Sequence, residues 1–328
     1  MSIEATAFWS DHGRGQLIQE TLPEPGDDEL WVETICTGIS KGTETLVFSG
    51  RVPTSEHSRM RAPFQQGEFS GPVKYGYCNV GQVKQGPPAW LGQRVFCLYP
   101  HQDHYVVPAS AVHPLPEALP SDRAVLTANM ETAVNGLIDA GLDAPGNARH
   151  EVSVTVIGAG VVGCLVAHAA RQHGHDVELI DTQADRRSIA EALDLRFVAP
   201  NQAQSDRAVV IHTSASEAGL QQALTLAEQD GRIVEMSWFG NRSVSVPLGE
   251  AFHAKRLTLR SSQVGHIAPD RQADWTFESR LAHAFTLLAD PRLDALITHR
   301  APFDQLPNVM ATLSQGAPDV LCHLIDYA

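Results

Sequence analysis

The spacing of hydrophobic and polar positions divides the chain into two parts of different character. Up to about residue 120, short runs rich in β-branched and aromatic residues are separated by Gly and Pro, as at 30–36, 80–83, 94–98 and 104–107. This pattern predicts a compact β-rich domain with irregular loops. The next segment, 121–142, places apolar residues at helical spacing behind a capping residue, Ser121 or Asp122, and predicts a helix.

From residue 151 onward, apolar runs and amphipathic segments alternate. The pattern predicts strands at 152–157, 177–180, 208–212, 232–236 and 257–261, and helices at 161–173, 185–193 and 217–228. Continuous apolar strands separated by helices are typical of a parallel sheet covered on both faces. The second part is therefore predicted to be a doubly wound α/β domain. A helix at 280–288 and a strand near 321–325 follow it.

Composition and charge narrow the functional classes. The chain has 328 residues, of which 43% are hydrophobic, and this suits two globular domains. A net charge of −14 speaks against a protein that follows nucleic-acid phosphates. The five cysteines form no C-x-x-C pair, which indicates a reducing compartment. No basic and then apolar leader begins the sequence, and glycines interrupt the apolar run 152–170, so we predict a cytoplasmic protein without a membrane span.

A glycine motif follows the first strand of the second part. It reads Gly158, Ala, Gly160, Val161, Val162, Gly163, and it opens a predicted helix. In such a motif the first glycine permits a tight turn, the second lets the backbone approach a pyrophosphate, and the third lets the helix lie close to the sheet. The N–H groups at the start of the helix, including those of the two valines, would hold the phosphates. The motif predicts a dinucleotide site.

An acidic residue supports this interpretation and bears on cofactor choice. Asp181 follows the second strand, where a carboxylate accepts hydrogen bonds from the adenosine ribose and repels a 2′-phosphate, so NAD is favoured over NADP. Arg186 and Arg187 leave NADP open, because arginine is what an NADP site recruits; the alternative is that they lie on an exposed helix face. Other cofactor contacts are expected where strands of this domain end, at Thr213, Ser237, Trp238 and Ser262.

Several further motifs occur along the chain, and their order is as informative as their residues. They are 37–44 (TGISKGTE), 75–81 (YGYCNVG), 92–95 (GQRV), 129–133 (NMETA) and 296–299 (LITH). Together with the glycine motif they make the chain resemble the medium-chain dehydrogenase/reductase superfamily, nearest to its polyol, threonine and bacteriochlorophyllide hydroxyethyl dehydrogenase branches.

The resemblance implies an α/β architecture in two domains. A GroES-like catalytic domain would comprise 1–130, completed by 271–328, and a Rossmann NAD-binding domain would comprise 131–270. The resemblance further implies a cleft between the domains and a homodimer formed through the sheet edge near Leu257 to Ser262.

The chain departs from the zinc-dependent members of this superfamily. Ser40 stands where they have a cysteine, and Gly76, Tyr77 and Cys78 stand where they have Gly-His-Glu, while Glu131 retains the third ligand position. A catalytic zinc needs about three protein ligands, so we predict no zinc. The four-cysteine structural zinc lobe is missing as well. The alternative is a rearranged metal site that draws on Cys78, His101 and His104.

Without zinc, another group must polarise the substrate oxygen and move its proton. The candidates are Lys41, Thr43, Glu44, Tyr77 and Glu131. Thr43 could relay protons, as hydroxyls near this position do in the family, and Lys41 or Tyr77 could polarise a carbonyl. Glu131 could act as a base or anchor Lys41 in an ion pair. The alternative for each is an ordinary structural role, with Glu131 as a remnant and Lys41 solvated.

A cationic loop suggests the charge of the substrate. Arg51, Arg59 and Arg61 lie in a stretch opposed only by Glu56, and they could clamp an anionic substrate or simply be solvated. The predicted function is a zinc-independent, NAD(H)-dependent dehydrogenase/reductase that interconverts an alcohol and a carbonyl. The alternatives are a quinone or enoyl reductase that uses NAD(P)H, and a catalytically silent NAD(H)-binding redox sensor.

Overall fold

A computed structural model describes residues 3–142 and 151–327. The chain divides into two units, one made of residues 1–128 and 296–328 and the other of residues 129–295. The return into the first unit was expected at residue 271, whereas the chain returns at 296. The difference arises because the intervening helix is fastened to the second unit: its Arg280 is buried and hydrogen-bonded to Glu131 and Asn135.

Strands make up much of both units. In the described residues they are β1 (Ile3–Asp11), β2 (Arg14–Leu22), β3 (Glu29–Ile39), β4 (Gln66–Gly67), β5 (Val73–Lys74), β6 (Asn79–Gln85), β7 (Arg94–Cys97), β8 (His104–Pro108), β9 (Val112–Pro114), β10 (Ser153–Ile157), β11 (Asp176–Ile180), β12 (Arg196–Val198), β13 (Arg207–His212), β14 (Ala227–Glu235), β15 (Thr258–Ser261), β16 (Ile297–Pro302) and β17 (Cys322–Asp326).

The α-helices are distributed over both units. In the described residues they are α1 (Lys41–Phe48), α2 (Ser121–Ala124), α3 (Thr127–Ala140), α4 (Val161–Gln172), α5 (Arg186–Ala192), α6 (Glu217–Leu226), α7 (Phe277–Leu287) and α8 (Leu306–Ser314). No helix among these residues is both long and apolar enough to cross a bilayer.

The first unit is built from two sheets. One has the strand order β2-β1-β5-β4, and the other has the order β16-β17-β3-β6-β7-β9, with β8 also paired to β3. The long strand β3 alternates between buried and partly exposed positions until it enters the core at its end. Its last residues lead through Ser40 directly into α1. Since β3 is paired on both sides, the start of α1 is held at a fixed place.

The second unit contains one parallel sheet with the order β12-β11-β10-β13-β14-β15. All of its strand pairs are parallel, and the central strands are almost fully buried because helices flank them. The predicted doubly wound α/β domain is therefore confirmed. The carboxyl ends of β10, β11, β13 and β14 lie along one edge of this sheet, where such domains bind ligands.

The segment predicted as one helix at 121–142 forms two helices, α2 and α3. The interruption falls at Val125 and Leu126, both fully buried. A side chain on Gly38 would meet Val125 at 2.9 Å, so β3 and the turn pack closely at this point. The Thr127 hydroxyl donates to the Ala124 carbonyl at 2.6 Å and bridges the two helices. Apolar spacing alone does not reveal this break, because both helices bury the same kind of residue.

Candidate functional site

The glycine motif forms a tight turn between β10 and α4. Gly158 has a φ of +112°, a conformation that favours glycine. A Cβ on Gly163 would lie 1.8 Å from the Gly158 carbonyl oxygen, so the helix can approach the turn only without a side chain. A Cβ on Gly160 would meet nothing within 4 Å, which means that this glycine leaves open space above the helix N-terminus. Val161 and Val162 are the first residues of α4 and are partly exposed.

Asp181 lies beside this turn. One of its carboxylate oxygens accepts the Ala159 N–H at 2.7 Å, and the other accepts the Gln183 N–H at 2.8 Å. Each carboxylate oxygen has a second lone pair, and the side chain is partly exposed, so the group can still accept hydrogen bonds from a diol. Arg186 is only 8% exposed, and the expectation of an exposed helix face is wrong for it. Arg187 is exposed and lies over the Phe197 ring.

Three of the other predicted cofactor residues form hydrogen bonds within the second unit. Thr213 donates its hydroxyl to the Ile157 and Gly158 carbonyls at 3.1 and 3.0 Å, which fixes the glycine turn. Ser237 accepts the Ala215 N–H at 3.0 Å, and Trp238 next to it is partly exposed. Ser262 follows β15, and its hydroxyl accepts from the Asn135 amide at 3.1 Å.

The turn has the features that a bound dinucleotide requires. It combines an open backbone at Gly160, the first N–H groups of α4 and a carboxylate at the end of the neighbouring strand. The pyrophosphate of NAD(H) would lie against residues 160–163, and the adenosine ribose would lie against Asp181. These residues therefore fit the cofactor that the sequence predicts.

A buried polar network lies in the first unit at the start of α1. Glu44 is 3% exposed and His101 is 1% exposed. One oxygen of Glu44 accepts the Ser40 N–H at 2.7 Å, and the other lies 2.8 Å from His101 Nε2. The Thr37 hydroxyl lies 2.7 Å from His101 Nδ1 and 3.4 Å from the Tyr327 hydroxyl.

Glu44, one of the predicted catalytic residues, is therefore held by His101, a partner that the sequence did not identify. A Cβ on Gly76 would lie 2.9 Å from the His101 ring, so that glycine makes room for it. From the sequence, His101 is a candidate only for a metal ligand, whereas the structure pairs it with Glu44.

Tyr77 is adjacent to this network. The Ser40 and Thr43 side chains lie beside its phenol, and its ring packs edge-on against Tyr75 with centroids 5.9 Å apart. Burial raises the pKa of Tyr77, and the nearby Glu44 carboxylate raises it further. The phenol therefore keeps its proton at neutral pH and can donate it in a hydrogen bond. The structure thus brings together Thr43 and Tyr77, two of the predicted catalytic residues.

Lys41 has a different environment from the one predicted. It begins α1, but its ammonium donates to the Ala317 carbonyl at 2.5 Å and to the Val320 carbonyl at 3.2 Å. The group is therefore committed to the segment between α8 and β17, and the expectation that it is solvated is wrong. This geometry favours a structural role.

Glu131 lies in the second unit with Arg280 as its partner. Arg280 donates from Nε and from one terminal nitrogen to the same Glu131 oxygen at 3.1 and 2.9 Å, and it also donates to Asn135 Oδ1 at 2.6 Å and to the Val264 carbonyl at 2.7 Å. Burial raises the pKa of Glu131, while the Arg280 charge opposes that rise. The ion pair considered between Glu131 and Lys41 is replaced by this pairing. No local pattern points to it, since Arg280 is 149 residues away.

The residues at the expected zinc positions do not fit zinc. Ser40 and Tyr77 carry hydroxyls, and Glu131 is held by an arginine. Burial raises the pKa of Cys78 well above its usual value, which disfavours the thiolate that a metal needs. Within residues 3–142 and 151–327 there is no group of three or more His, Cys, Asp or Glu side chains arranged to hold a metal ion.

The cationic loop is more nearly neutral than the sequence suggests. Arg59 is paired with Glu56 through two hydrogen bonds of 2.9 and 2.7 Å. Arg61 is paired with Glu68 at 2.9 Å and donates to the Gln65 carbonyl. Arg51 is exposed, and no described residue pairs with its guanidinium. Two of the three predicted cations thus already have acidic partners.

Comparison with known proteins gives a family match over part of the chain and two relatives that match over most of its length. The family model described as "Alanine dehydrogenase/PNT, C-terminal domain" matches residues 136–227. The chain is 27% identical to 2-desacetyl-2-hydroxyethyl bacteriochlorophyllide A dehydrogenase of Cereibacter sphaeroides, covering 95% of this chain and 94% of that protein. It is 25% identical to L-galactonate-5-dehydrogenase of Escherichia coli, covering 88% of each.

Solved structures share the fold over the whole chain. L-idonate 5-dehydrogenase from Escherichia coli superposes with a TM-score of 0.80 at 14% identity, covering 99% of both chains. These relatives and structural neighbours are zinc-type alcohol dehydrogenase-like enzymes of the medium-chain superfamily, whose fold joins a GroES-like domain to a Rossmann domain. The resemblance and the fold class expected from the sequence are confirmed.

Proposed function

Because its relatives are medium-chain dehydrogenases, we propose that this protein is an NAD(H)-dependent oxidoreductase that interconverts an alcohol and a carbonyl without zinc. Two relatives are named as dehydrogenases of a hydroxyethyl bacteriochlorophyllide and of L-galactonate. The observation that carries the zinc-free part is that Ser40 and Tyr77, which carry hydroxyls, stand at two of the positions where the zinc-dependent members have metal ligands.

The chain's own residues would divide the work of the reaction. NAD(H), when bound, supplies or accepts the hydride. The glycine turn would bind its pyrophosphate, and Asp181 would orient its adenosine ribose. Tyr77, which stays protonated, would donate a hydrogen bond to the substrate oxygen, and Thr43 and Ser40 would hold the phenol in place. The buried Glu44 and His101 would fix the start of α1, on which Ser40 and Thr43 depend.

We expect Tyr77→Phe to lower kcat about 100-fold for oxidation of L-galactonate or L-idonate by NAD⁺, since general acid–base groups contribute on this scale. The Kd for NADH should not change, because Tyr77 is not among the residues assigned to cofactor binding. The measurement combines steady-state kinetics with NADH fluorescence titration, on protein purified without chelators or a metal-affinity tag. Its metal content is measured by mass spectrometry.

Tyr75→Phe is the matched control for this experiment. Tyr75 is a neighbouring buried tyrosine that packs against the Tyr77 ring, so its loss should leave kcat within a few fold. Equal losses in both variants would contradict a role for the Tyr77 hydroxyl. One zinc per chain in active protein would contradict the zinc-free proposal.

The preference for NAD over NADP rests on Asp181, whose negative charge would repel a 2′-phosphate. We expect Asp181→Asn to reduce the ratio of the NADPH Kd to the NADH Kd about tenfold. Asp185→Asn serves as the control, because it removes an exposed carboxylate four residues away that caps no helix N–H. An unchanged ratio in Asp181→Asn would overturn the assigned preference.

Two further proposals have narrower support. An anionic substrate rests on Arg51 alone among the three predicted arginines, because the other two are paired with acidic side chains. A homodimer through the sheet edge is supported by the position of β15, which is an edge strand that exposes Leu259. An exposed apolar residue on an open strand edge favours pairing with a second copy of the chain.

A further inference from the structure

A hydrogen-bonded series of three side chains lies at the carboxyl ends of β13 and β14. His212 and Glu235 are the last residues of these strands and are directly opposite each other in the sheet register. Glu235 Oε2 lies 2.6 Å from His212 Nδ1, and the Ser214 hydroxyl lies 2.7 Å from His212 Nε2. The His212 ring is fully buried, whereas Ser214 is exposed.

The partners decide where the protons lie. A carboxylate only accepts, so His212 Nδ1 carries a hydrogen and donates it to Glu235. In the neutral imidazole, His212 Nε2 then carries a lone pair that accepts from the Ser214 hydroxyl, whose oxygen also lies 2.9 Å from the Ser216 hydroxyl. The second Glu235 oxygen accepts the Ser237 N–H at 2.7 Å, which holds the carboxylate in position. A hydroxyl that donates to a histidine oriented by a carboxylate is the arrangement that activates serine as a nucleophile.

Ser214 is exposed and lies in the connection between β13 and α6. Ala215, the next residue, has a φ of +50°, so the chain turns sharply between β13 and α6. A Cβ on Gly219 would lie 2.6 Å from the Ser214 hydroxyl and 2.8 Å from His212 Nε2, so only a glycine lets α6 pack this close to the pair. No described residue accepts a hydrogen bond from the N–H of Glu217 or Ala218 at the start of α6, and these donors can stabilise an oxyanion.

We propose that Ser214, His212 and Glu235 form a second catalytic site that hydrolyses small acyl esters. The Ser214 oxygen forms a bond to the acyl carbon while its proton passes to His212 Nε2. The bond from the acyl carbon to the leaving oxygen then breaks, and His212 returns the proton to the departing alcohol. Water repeats the two steps on the acyl-serine, with its proton taken by His212, and releases the carboxylic acid and free Ser214.

The test uses the full chain and p-nitrophenyl acetate. We expect a burst of one p-nitrophenolate per chain, followed by slow turnover, and mass spectrometry should find an acetyl group on the peptide that contains Ser214. Ser214→Ala should abolish the burst, and His212→Gln should slow it about 100-fold. Circular dichroism shows whether each variant is folded. A burst that persists in folded Ser214→Ala, or acetylation elsewhere only, would overturn the proposal.

Ser205→Ala is the matched control. Ser205 is an exposed serine before the other end of β13, and it contacts Asp206 at 3.3 Å rather than a histidine. Its replacement should leave the burst intact, and loss of the burst would contradict the assignment to Ser214.

A further measurement, acetylation in the presence of NADH, rests on the proposed function. A Cβ on Gly158 would lie 2.8 Å from the Ser214 backbone nitrogen, so NADH in the glycine turn should block acetylation. Acetylation of Ser214 that NADH does not slow would support the esterase site and count against the nucleotide site.

Discussion

Gly163→Ala is expected to abolish NADH binding and to destabilise the second unit. Its Cβ would lie 1.8 Å from the Gly158 carbonyl oxygen and 2.6 Å from the Thr213 hydroxyl. Real Cβ atoms do not approach backbone oxygen so closely, so α4 or the turn must move, and the hydrogen bonds from Thr213 that fix the turn must break. We expect the NADH Kd to rise more than about 100-fold and the thermal unfolding midpoint to fall by several degrees.

Gly160→Ala separates cofactor binding from folding in the same turn. A methyl group there meets no protein atom within 4 Å, so the unfolding midpoint should stay within about 2 °C of the original. The same methyl group would occupy the space into which the pyrophosphate should fit, so the NADH Kd should still rise strongly. Fluorescence titration and calorimetry measure the two quantities. Unchanged NADH binding in Gly160→Ala would contradict the site assigned to the turn.

The second large effect is expected at Arg280, which is 2% exposed and holds Glu131. Arg280→Met keeps much of the side-chain volume but leaves a buried carboxylate without its cation. Removal of one partner from a buried ion pair costs about 3–5 kcal/mol of the free energy of unfolding. For a unit of this size, the unfolding midpoint should fall by about 10 °C.

The double variant Arg280→Met with Glu131→Gln tests the physical reason for that loss. A neutral amide is cheaper to bury than an unpaired carboxylate, so much of the lost stability should return. Glu131→Gln alone should also destabilise the protein, because it leaves the buried guanidinium without a counter-charge. A double variant no more stable than Arg280→Met would show that the pairing with Glu131 is not the source of the effect.

The parallel sheet and the glycine turn were predictable because their signals are local. The strand β10 is apolar, the glycines follow it at once, and α4 begins directly after them. Each part of this pattern lies within a few residues of the next, and only a few geometries satisfy it. The predicted strands of this sheet therefore agree with the observed ones to within a few residues, except that β14 begins at Ala227 and not at 232. The short strand β12 (Arg196–Val198) was not predicted.

The polar networks were not predictable from the sequence. His101 meets Glu44 across 57 positions, and Arg280 meets Glu131 across 149. A single polar residue at such a distance has no pattern that identifies its partner. Lys41 shows the same limit, since its two carbonyl acceptors lie more than 270 positions along the chain. The helix α1 also escaped detection, because its eight residues are too few to show a clear period.

The pairing of β17 with β3 has a consequence for the order in which the protein is made. The second unit comprises residues 129–295 and leaves the ribosome with all its strands present. The first unit at that moment lacks β16 and β17, because these strands and the carbonyl oxygens that hold Lys41 are still inside the ribosome. Since domains fold as units during synthesis, the domain that begins first is completed last. We therefore expect the second unit to fold before β17 pairs with β3 and before Lys41 at the start of α1 reaches its carbonyl acceptors.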